Sequence, residues 1–185
     1  PKELTYCRNM LFFSADDGSN GRELWRSDGT ASGTALVKDI NPQGSSNPHN
    51  LVGCGNFVLF AATTDSTGCE LWISDGTSVG TRLVKDIQNS GSSYPQNLAC
   101  IGEYVYFSAN DGINGYELWK TDGTSSGTNL VLDISTNVDS EPSDFVDFAG
   151  NVVFSAHSLE GREVWITDGT ASGTRLLKDI NTVGD

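Results

Sequence analysis

The sequence is poor in basic residues, with 11 lysines and arginines against 24 aspartates and glutamates and a formal net charge of -13. Nucleic acids and anionic membrane surfaces bind clusters of Lys and Arg, so we expect neither as a partner. The chain also lacks any apolar stretch near the roughly 20 residues that cross a bilayer, so we expect no membrane insertion. It contains no Asn-X-Ser/Thr glycosylation site.

Residues that would support catalysis are equally scarce. The two histidines, His49 and His157, have no Cys or His at zinc-ligand spacing nearby. A Ser-His-Asp triad would need residues outside the repeat pattern that the fold brings together. The sequence therefore predicts no catalytic residues and a protein that is not an enzyme. A hydrolase is the least favoured alternative, and it would use carboxylates that break the repeat pattern, such as Glu141, Asp144 and Asp147.

What the chain does contain is repetition. A Glu-Leu-Trp or Glu-Val-Trp tripeptide recurs at intervals of 47, 47 and 46 residues, each time followed by the frame x-[Ser/Thr]-Asp-Gly-Thr-x-x-Gly-Thr. The four copies are Glu23-Leu24-Trp25, Glu70-Leu71-Trp72, Glu117-Leu118-Trp119 and Glu163-Val164-Trp165. A fixed period of this length indicates units that bury their apolar faces against one another. We predict one domain, 1–185, with repeats at about 1–48, 49–95, 96–142 and 143–185.

Each repeat has the pattern of four short strands. In the second repeat the segments 50–54, 57–63, 69–74 and 81–87 are rich in Val, Leu and aromatic residues and are separated by turn signals. No window has the spacing of an amphipathic helix. Four strands in about 45 residues is the size of a propeller blade. The prediction is an all-β fold, a β-propeller of four four-stranded blades; the alternative is half of an eight-bladed ring that a second chain completes as a homodimer.

The motif at 23–30, Glu-Leu-Trp-Arg-Ser-Asp-Gly-Thr, and its three relatives resemble the ELWxxDGT repeat. The match covers all four units, with Val164 in place of Leu and Leu132 where the other repeats have Lys. The resemblance implies a propeller-like architecture in a secreted, extracellular or cell-surface protein. The Asp-Gly-Thr turn also resembles, distantly, the Asp-box turn of sialidase propellers, which is structural in those enzymes.

The fixed motif residues have two interpretations. As a ligand site, a Trp face suits a sugar ring, and neighbouring carboxylates suit its hydroxyl groups. As structure, the Trp packs between blades, the Glu bonds backbone or turn hydroxyls, and the Asp-Gly-Thr turn is held by its own side chains. The candidate ligand-binding residues are Glu23, Trp25, Asp28, Glu70, Trp72, Asp75, Glu117, Trp119, Asp122, Glu163, Trp165 and Asp168.

The loop before the tripeptide suggests calcium. Repeats one and three share Asp-Gly-x-Asn-Gly there, and clustered oxygen ligands separated by glycines suit that ion. The candidate metal ligands are Asp16, Asp17, Asn20, Asn110, Asp111 and Asn114. The alternative is that Asn-Gly and Asp-Gly make hairpin turns without a metal. Calcium is the only cofactor that the sequence suggests.

The four cysteines allow one bridge. When the repeats are aligned, Cys7 and Cys54 share one position and Cys100 lies one position earlier, all at the end of a first strand. Cys69 begins a third strand, on the order of 15 Å away at the other rim of the blade, and a disulfide needs Cα atoms within roughly 7 Å. We predict at most one internal disulfide, among Cys7, Cys54 and Cys100, with Cys69 free or bonded to a partner chain.

These features favour a binding protein. The predicted function is multivalent carbohydrate binding, lectin-like, or adhesion, with glycans or other cell-surface and matrix molecules bound in repeated propeller loops. A structural or matrix protein that binds calcium is the alternative.

Overall fold

The computed structural model describes residues 1–136, 138–180 and 182, which form sixteen β-strands and no helix. The first blade contains β1 (Lys2–Cys7), β2 (Met10–Asp16), β3 (Arg22–Ser27) and β4 (Ala35–Lys38). The second contains β5 (His49–Cys54), β6 (Phe57–Thr64), β7 (Gly68–Ser74) and β8 (Arg82–Lys85). The third contains β9 (Gln96–Ile101), β10 (Tyr104–Asn110), β11 (Tyr116–Thr121) and β12 (Asn129–Leu132). The fourth contains β13 (Ser143–Phe148), β14 (Asn151–Ser158), β15 (Gly161–Thr167) and β16 (Arg175–Lys178).

Each blade is a four-stranded antiparallel sheet in which neighbours in sequence are neighbours in space. The arrangement of four such sheets is that of a β-propeller, which confirms the predicted fold class. The strands of the second repeat lie where its pattern placed them, except that β8 ends at Lys85. Ile87, two residues later, donates its backbone N–H to the Glu70 side chain at 3.0 Å instead of continuing the sheet.

Three apolar clusters hold the blades together, and each one joins two successive blades. Between the second and third blades, Leu71 and Val84 pack with Phe107 and Trp119. A blade has apolar side chains on both faces, because alternate residues of a strand point to opposite faces of the sheet. Every blade therefore depends on a neighbour to bury these faces.

The four blades form an arc. The innermost strand β5 packs beside β1 and β9, and β9 packs beside β13. Within the described residues, β13 and β1 make no comparable contact, although they would be neighbours in a closed four-bladed ring. The first and fourth blades are thus the two ends of the arc.

One disulfide joins two blades. Cys54 at the end of β5 is bonded to Cys100 in β9, with Cα atoms 5.4 Å apart. This confirms the prediction of a single bridge within the set Cys7, Cys54 and Cys100. Cys7 and Cys69 are free and buried. Cys69 is only 2% exposed, which corrects the alternative of a bond to a partner chain, because the sulfur is enclosed within the blade.

No helix among the described residues is long and apolar enough to cross a membrane.

Candidate functional site

The motif glutamates are structural anchors. The Glu70 carboxylate accepts hydrogen bonds from the backbone N–H of Ile87 at 3.0 Å and from the backbone N–H and hydroxyl of Ser93 at 2.8 and 2.5 Å. Glu23 and Glu117 make the same three bonds in their own blades. Each of these carboxylates ties the end of its blade to the segment that leads into the next one.

Burial dominates the electrostatics of these carboxyl groups. Desolvation raises the pKa of Glu23 and Glu70, and it raises the pKa of Glu117 to about 7, despite the hydrogen bonds from serine and the backbone that favour the ionised form. All four motif glutamates are at most 5% exposed. This corrects the expectation that Glu23, Glu70, Glu117 and Glu163 face a ligand.

The motif tryptophans are packing residues. Trp72, Trp119 and Trp165 are buried in the three junction clusters, and the Lys85 ammonium group lies 5.9 Å from the Trp119 ring centroid. These three rings are at most 9% exposed, which agrees with the interpretation that the Trp packs between blades. Trp72 also contributes one edge to a pocket of about 460 Å³ that Lys38 and Leu83 line. Trp25 is half-buried, because no blade packs on that face of the first blade in the described structure.

The motif aspartates hold their own turns. In the third blade, Asp122 Oδ1 accepts hydrogen bonds from the backbone N–H of Thr124 at 2.8 Å and from its hydroxyl at 2.6 Å. These bonds lower the pKa of Asp122, so the group is ionised at neutral pH. Gly123, at φ 87°, supplies the left-handed backbone of the turn. Asp28, Asp75 and Asp168 make the same bonds.

The loops predicted to bind calcium are Asx turns. Asp17 Oδ1 accepts the backbone N–H groups of Ser19 and Asn20 at 2.8 Å, and Oδ2 accepts the Asn20 side-chain amide at 2.7 Å. Asp111 bonds Ile113 and Asn114 in the same way, while Asp16 and Asn110 each bond a glycine N–H. In the described part of the chain, no group of three or more His, Cys, Asp or Glu is placed to hold a metal ion.

The structure opens a pocket between the third and fourth blades, which we call the Tyr104 pocket. Its volume is about 390 Å³, and its lining includes Tyr104, Tyr106, Lys120, Asp147 and Asp168. The Lys120 ammonium lies 5.0 Å from the Tyr104 ring centroid, and Tyr104 is 39% exposed. Burial raises the pKa of Tyr106, so its hydroxyl stays protonated at neutral pH. An aromatic ring, an amine and carboxylates thus surround one cavity.

A second pocket lies at the corresponding place between the second and third blades. Its volume is about 280 Å³, and Phe57, Ile73 and Asp122 line it where Tyr104, Lys120 and Asp168 line the Tyr104 pocket. The Gly102–Glu103 turn between β9 and β10 contributes to both pockets. The position is therefore repeated, but its chemistry changes from apolar to polar along the arc.

Sequence reasoning found only the aspartates of these pockets. Tyr104, Lys120 and Glu103 lie at positions that vary between repeats, outside the fixed motif that supplied the candidate residues. The sequence feature that could have indicated these residues is variation between repeats at one position. The position of Lys120 is Arg26 in the first repeat and Ile73 in the second.

The three carboxylates considered for hydrolysis are separated. Glu141 and Asp144 line a pocket with Arg162, whose guanidinium is paired to Glu141 at 3.4 Å. Asp147 lines the Tyr104 pocket instead. They do not form one constellation.

No protein-family model matches the chain, and no functionally curated protein matches it. Solved structures share its fold. A protein described as a TolB from Agrobacterium tumefaciens superposes with a TM-score of 0.57 and 13% identity over 92% of this chain and 61% of that one. A mutant puromycin hydrolase complexed with PGG superposes with a TM-score of 0.60 and 14% identity, over 90% of this chain and 26% of that one. Oligopeptidase B from Leishmania major superposes with a TM-score of 0.57 and 16% identity, over 94% of this chain and 26% of that one.

The chain thus spans between 26% and 61% of the length of these proteins. At such low identity the likeness establishes the propeller fold alone.

Proposed function

We propose that this protein binds carbohydrate, and that the glycan sites are the pockets at the blade junctions. The observation that supports this most directly is the set of side chains around the Tyr104 pocket. Tyr104 offers a partly exposed ring, and Lys120, Asp147 and Asp168 offer both donors and acceptors around one cavity of about 390 Å³.

These groups suit a polyhydroxylated ligand. The C–H face of a sugar ring packs on an aromatic face, and carboxylates accept hydrogen bonds from its hydroxyl groups. An ammonium group donates to hydroxyl or ring oxygens. Because both signs of charge line the pocket, a neutral glycan fits it better than a strongly charged ligand does.

A pocket of this kind occurs at more than one blade junction, so the protein could bind several glycans at once. The pocket at the preceding junction has the same position and contains Phe57, Glu103 and Asp122. Two weak sites on one rigid scaffold bind a surface carrying many glycans far more tightly than either does alone. We therefore propose adhesion to glycan-bearing cell surfaces or matrix, and the Cys54–Cys100 disulfide supports a secreted or surface location.

A structural protein that binds calcium has less support. The Asp17 and Asp111 carboxylates already accept three hydrogen bonds each from their own turns. A calcium ion there would have to displace those donors.

The test is a glycan-array screen of the protein, run once with calcium and once with a chelator. We expect saturable binding that a free monosaccharide competes away and that persists in chelator. Tyr104→Ala is expected to weaken it at least tenfold. Tyr94→Ala is the matched control, because Tyr94 is 54% exposed but lies outside the Tyr104 pocket.

Two results would contradict the proposal. The first is no glycan binding under either condition. The second is glycan binding that Tyr104→Ala leaves unchanged, which would move the site away from this pocket. Glycan binding that is lost in chelator would instead support a calcium-dependent site at the loops 16–20 and 110–114.

A further inference from the structure

The two end blades each leave one face uncovered. We call the rear face of a blade the face turned toward the next blade in sequence, and the front face the one turned toward the preceding blade. At all three internal junctions a rear face packs on a front face and forms one apolar cluster. In the described structure the front face of the first blade and the rear face of the fourth have no such partner.

The rear face of the fourth blade is apolar although it is exposed. Val164 is 36% exposed, whereas Leu118 at the same position of the third blade is 0% exposed. Leu177 is 47% exposed where Val131 is 6%, and Ile180 is 69% exposed. An end repeat that faces water carries polar residues on its outer face, and this one does not.

The front face of the first blade matches it. Leu4 is 66% exposed, and Trp25 is only half-buried although its counterpart Trp72 is buried against the first blade. Thr34 is exposed, whereas Thr81 at the same position is fully buried. The fixed residues of a junction are therefore present here without the blade that would cover them.

The polar contacts of a junction are also retained at the two ends. Lys85 donates a hydrogen bond at 2.8 Å to the carbonyl of Thr128 in the next blade, and the lysine of the preceding junction does the same. The fourth blade has Lys178 at this position, and the first blade has Thr34 at the acceptor position. The third blade has Leu132 there, so a lysine is not required for a blade to fold.

We propose that the rear face of the fourth blade binds the front face of the first blade of a second copy of this chain. The two surfaces are the two halves of a junction that the chain builds three times within itself. Two copies related by a two-fold axis make both junctions at once and close a ring of eight blades. This assembly does not depend on glycan binding.

The internal disulfide gives the register of the proposed junction. Cys54 is the last residue of the innermost strand of its blade, and it bonds Cys100, which is one residue before the end of the next innermost strand. By the same strand pairing, Phe148 of the fourth blade corresponds to Cys54, and Tyr6 of the first blade corresponds to Cys100. Phe148 and Tyr6 are 62% and 70% exposed, so cysteines are tolerated there.

Cross-linking tests this geometry. The experiment mixes and oxidises two variants, Phe148→Cys and Tyr6→Cys. Both also carry Cys7→Ala, so that the neighbouring thiol does not compete. We expect a disulfide-linked dimer in the mixture, with little covalent dimer from either variant alone. Light scattering of the unmodified protein should give twice the 19.7 kDa chain mass. Leu177→Asp, on the uncovered face, should reduce that mass to the monomer.

Three outcomes would overturn the proposal. A monomeric mass for the unmodified protein, with no cross-link in the mixture, would show that the two faces do not bind each other. Equal cross-linking within each variant alone would indicate that like faces meet. A dimer that Leu177→Asp does not dissociate would place the interface elsewhere.

Discussion

Glu70 and Ser93 lie 23 residues apart and are joined by two hydrogen bonds, with both the backbone N–H and the hydroxyl of Ser93 donating to the Glu70 carboxylate. Both residues are fully buried. The pair connects the third strand of one blade to the segment that enters the next, and it recurs as Glu23 with Ser46. The Glu of the repeat motif therefore fixes the path between blades.

Ser93→Ala tests the energetic weight of this pair. The substitution removes one donor from a buried carboxylate, and we expect a loss of about 1–3 kcal/mol in the free energy of unfolding. Chemical denaturation measures the loss. Ser90→Ala, at an exposed position of the same segment, is the control and should change the midpoint little. Equal midpoints for the two variants would contradict a stabilising role for the pair.

Glu117 predicts a pH dependence of stability. Its pKa is about 7 in the folded chain and near the usual glutamate value of 4.5 in the unfolded chain, so between these values the folded state binds more protons. By linkage, stability is greatest below pH 4.5 for this group and falls as pH rises to 7, by at most about 3 kcal/mol.

Melting temperatures measured across that pH range check this expectation. Glu117→Gln should make the decline shallower, and Glu160→Gln, at an exposed glutamate, should not. Glu23 and Glu70 also have raised pKa values, so part of the decline remains in either variant. A Glu117→Gln profile parallel to that of the unaltered protein would show that Glu117 is ionised throughout.

The blades could be predicted from the sequence because the same pattern of strands and turns occurs four times. The strand positions and the single bridge both followed from aligning equivalent positions. The Tyr104 pocket could not be predicted in this way, because Lys120 and Asp168 approach one another only through the packing of two blades. The packing of Trp72 between blades, in contrast, was one of the two interpretations of the motif, because both faces of a blade are covered by its neighbours.

Gly53 gives a test of the junction register. It occupies the position of Cys100 one blade earlier and faces Cys7, where a Cβ on Gly53 would lie 3.0 Å from the Cys7 Cβ. We expect Gly53→Cys to form a second disulfide with Cys7, since the usual Cβ separation is about 3.8 Å. The new Cβ would also lie 2.9 Å from the Tyr6 carbonyl oxygen, so the backbone of β1 must move to admit it. Intact mass before and after reduction would count two bridges.

Val52→Cys is the matched control, because the neighbouring residue of the same strand points to the opposite face. It should add no bridge to Cys7. If Val52→Cys and not Gly53→Cys captured Cys7, the register between the first two blades would differ by one residue from the one described here.

Gly127 tests the turn that carries Asp122. A Cβ at Gly127 would lie 2.1 Å from Asp122 Oδ1, the atom that accepts both hydrogen bonds from Thr124. Gly127→Ala should therefore displace the carboxylate and cost about 1–3 kcal/mol, as overpacking does. Ser125→Ala, at an exposed position of the same turn, is the control for placing an alanine in this turn without the overlap.

A double-mutant cycle separates this clash from a general intolerance of alanine at Gly127. Once Asp122→Ala has removed the carboxylate, adding Gly127→Ala should cost little further stability, because the two groups no longer overlap. If Gly127→Ala is equally costly with and without Asp122, the carboxylate is not what excludes a side chain from Gly127. In that case the Asp-Gly-Thr turn would be held by its backbone conformation, and Asp122 would be available to contact a ligand in the pocket that it lines.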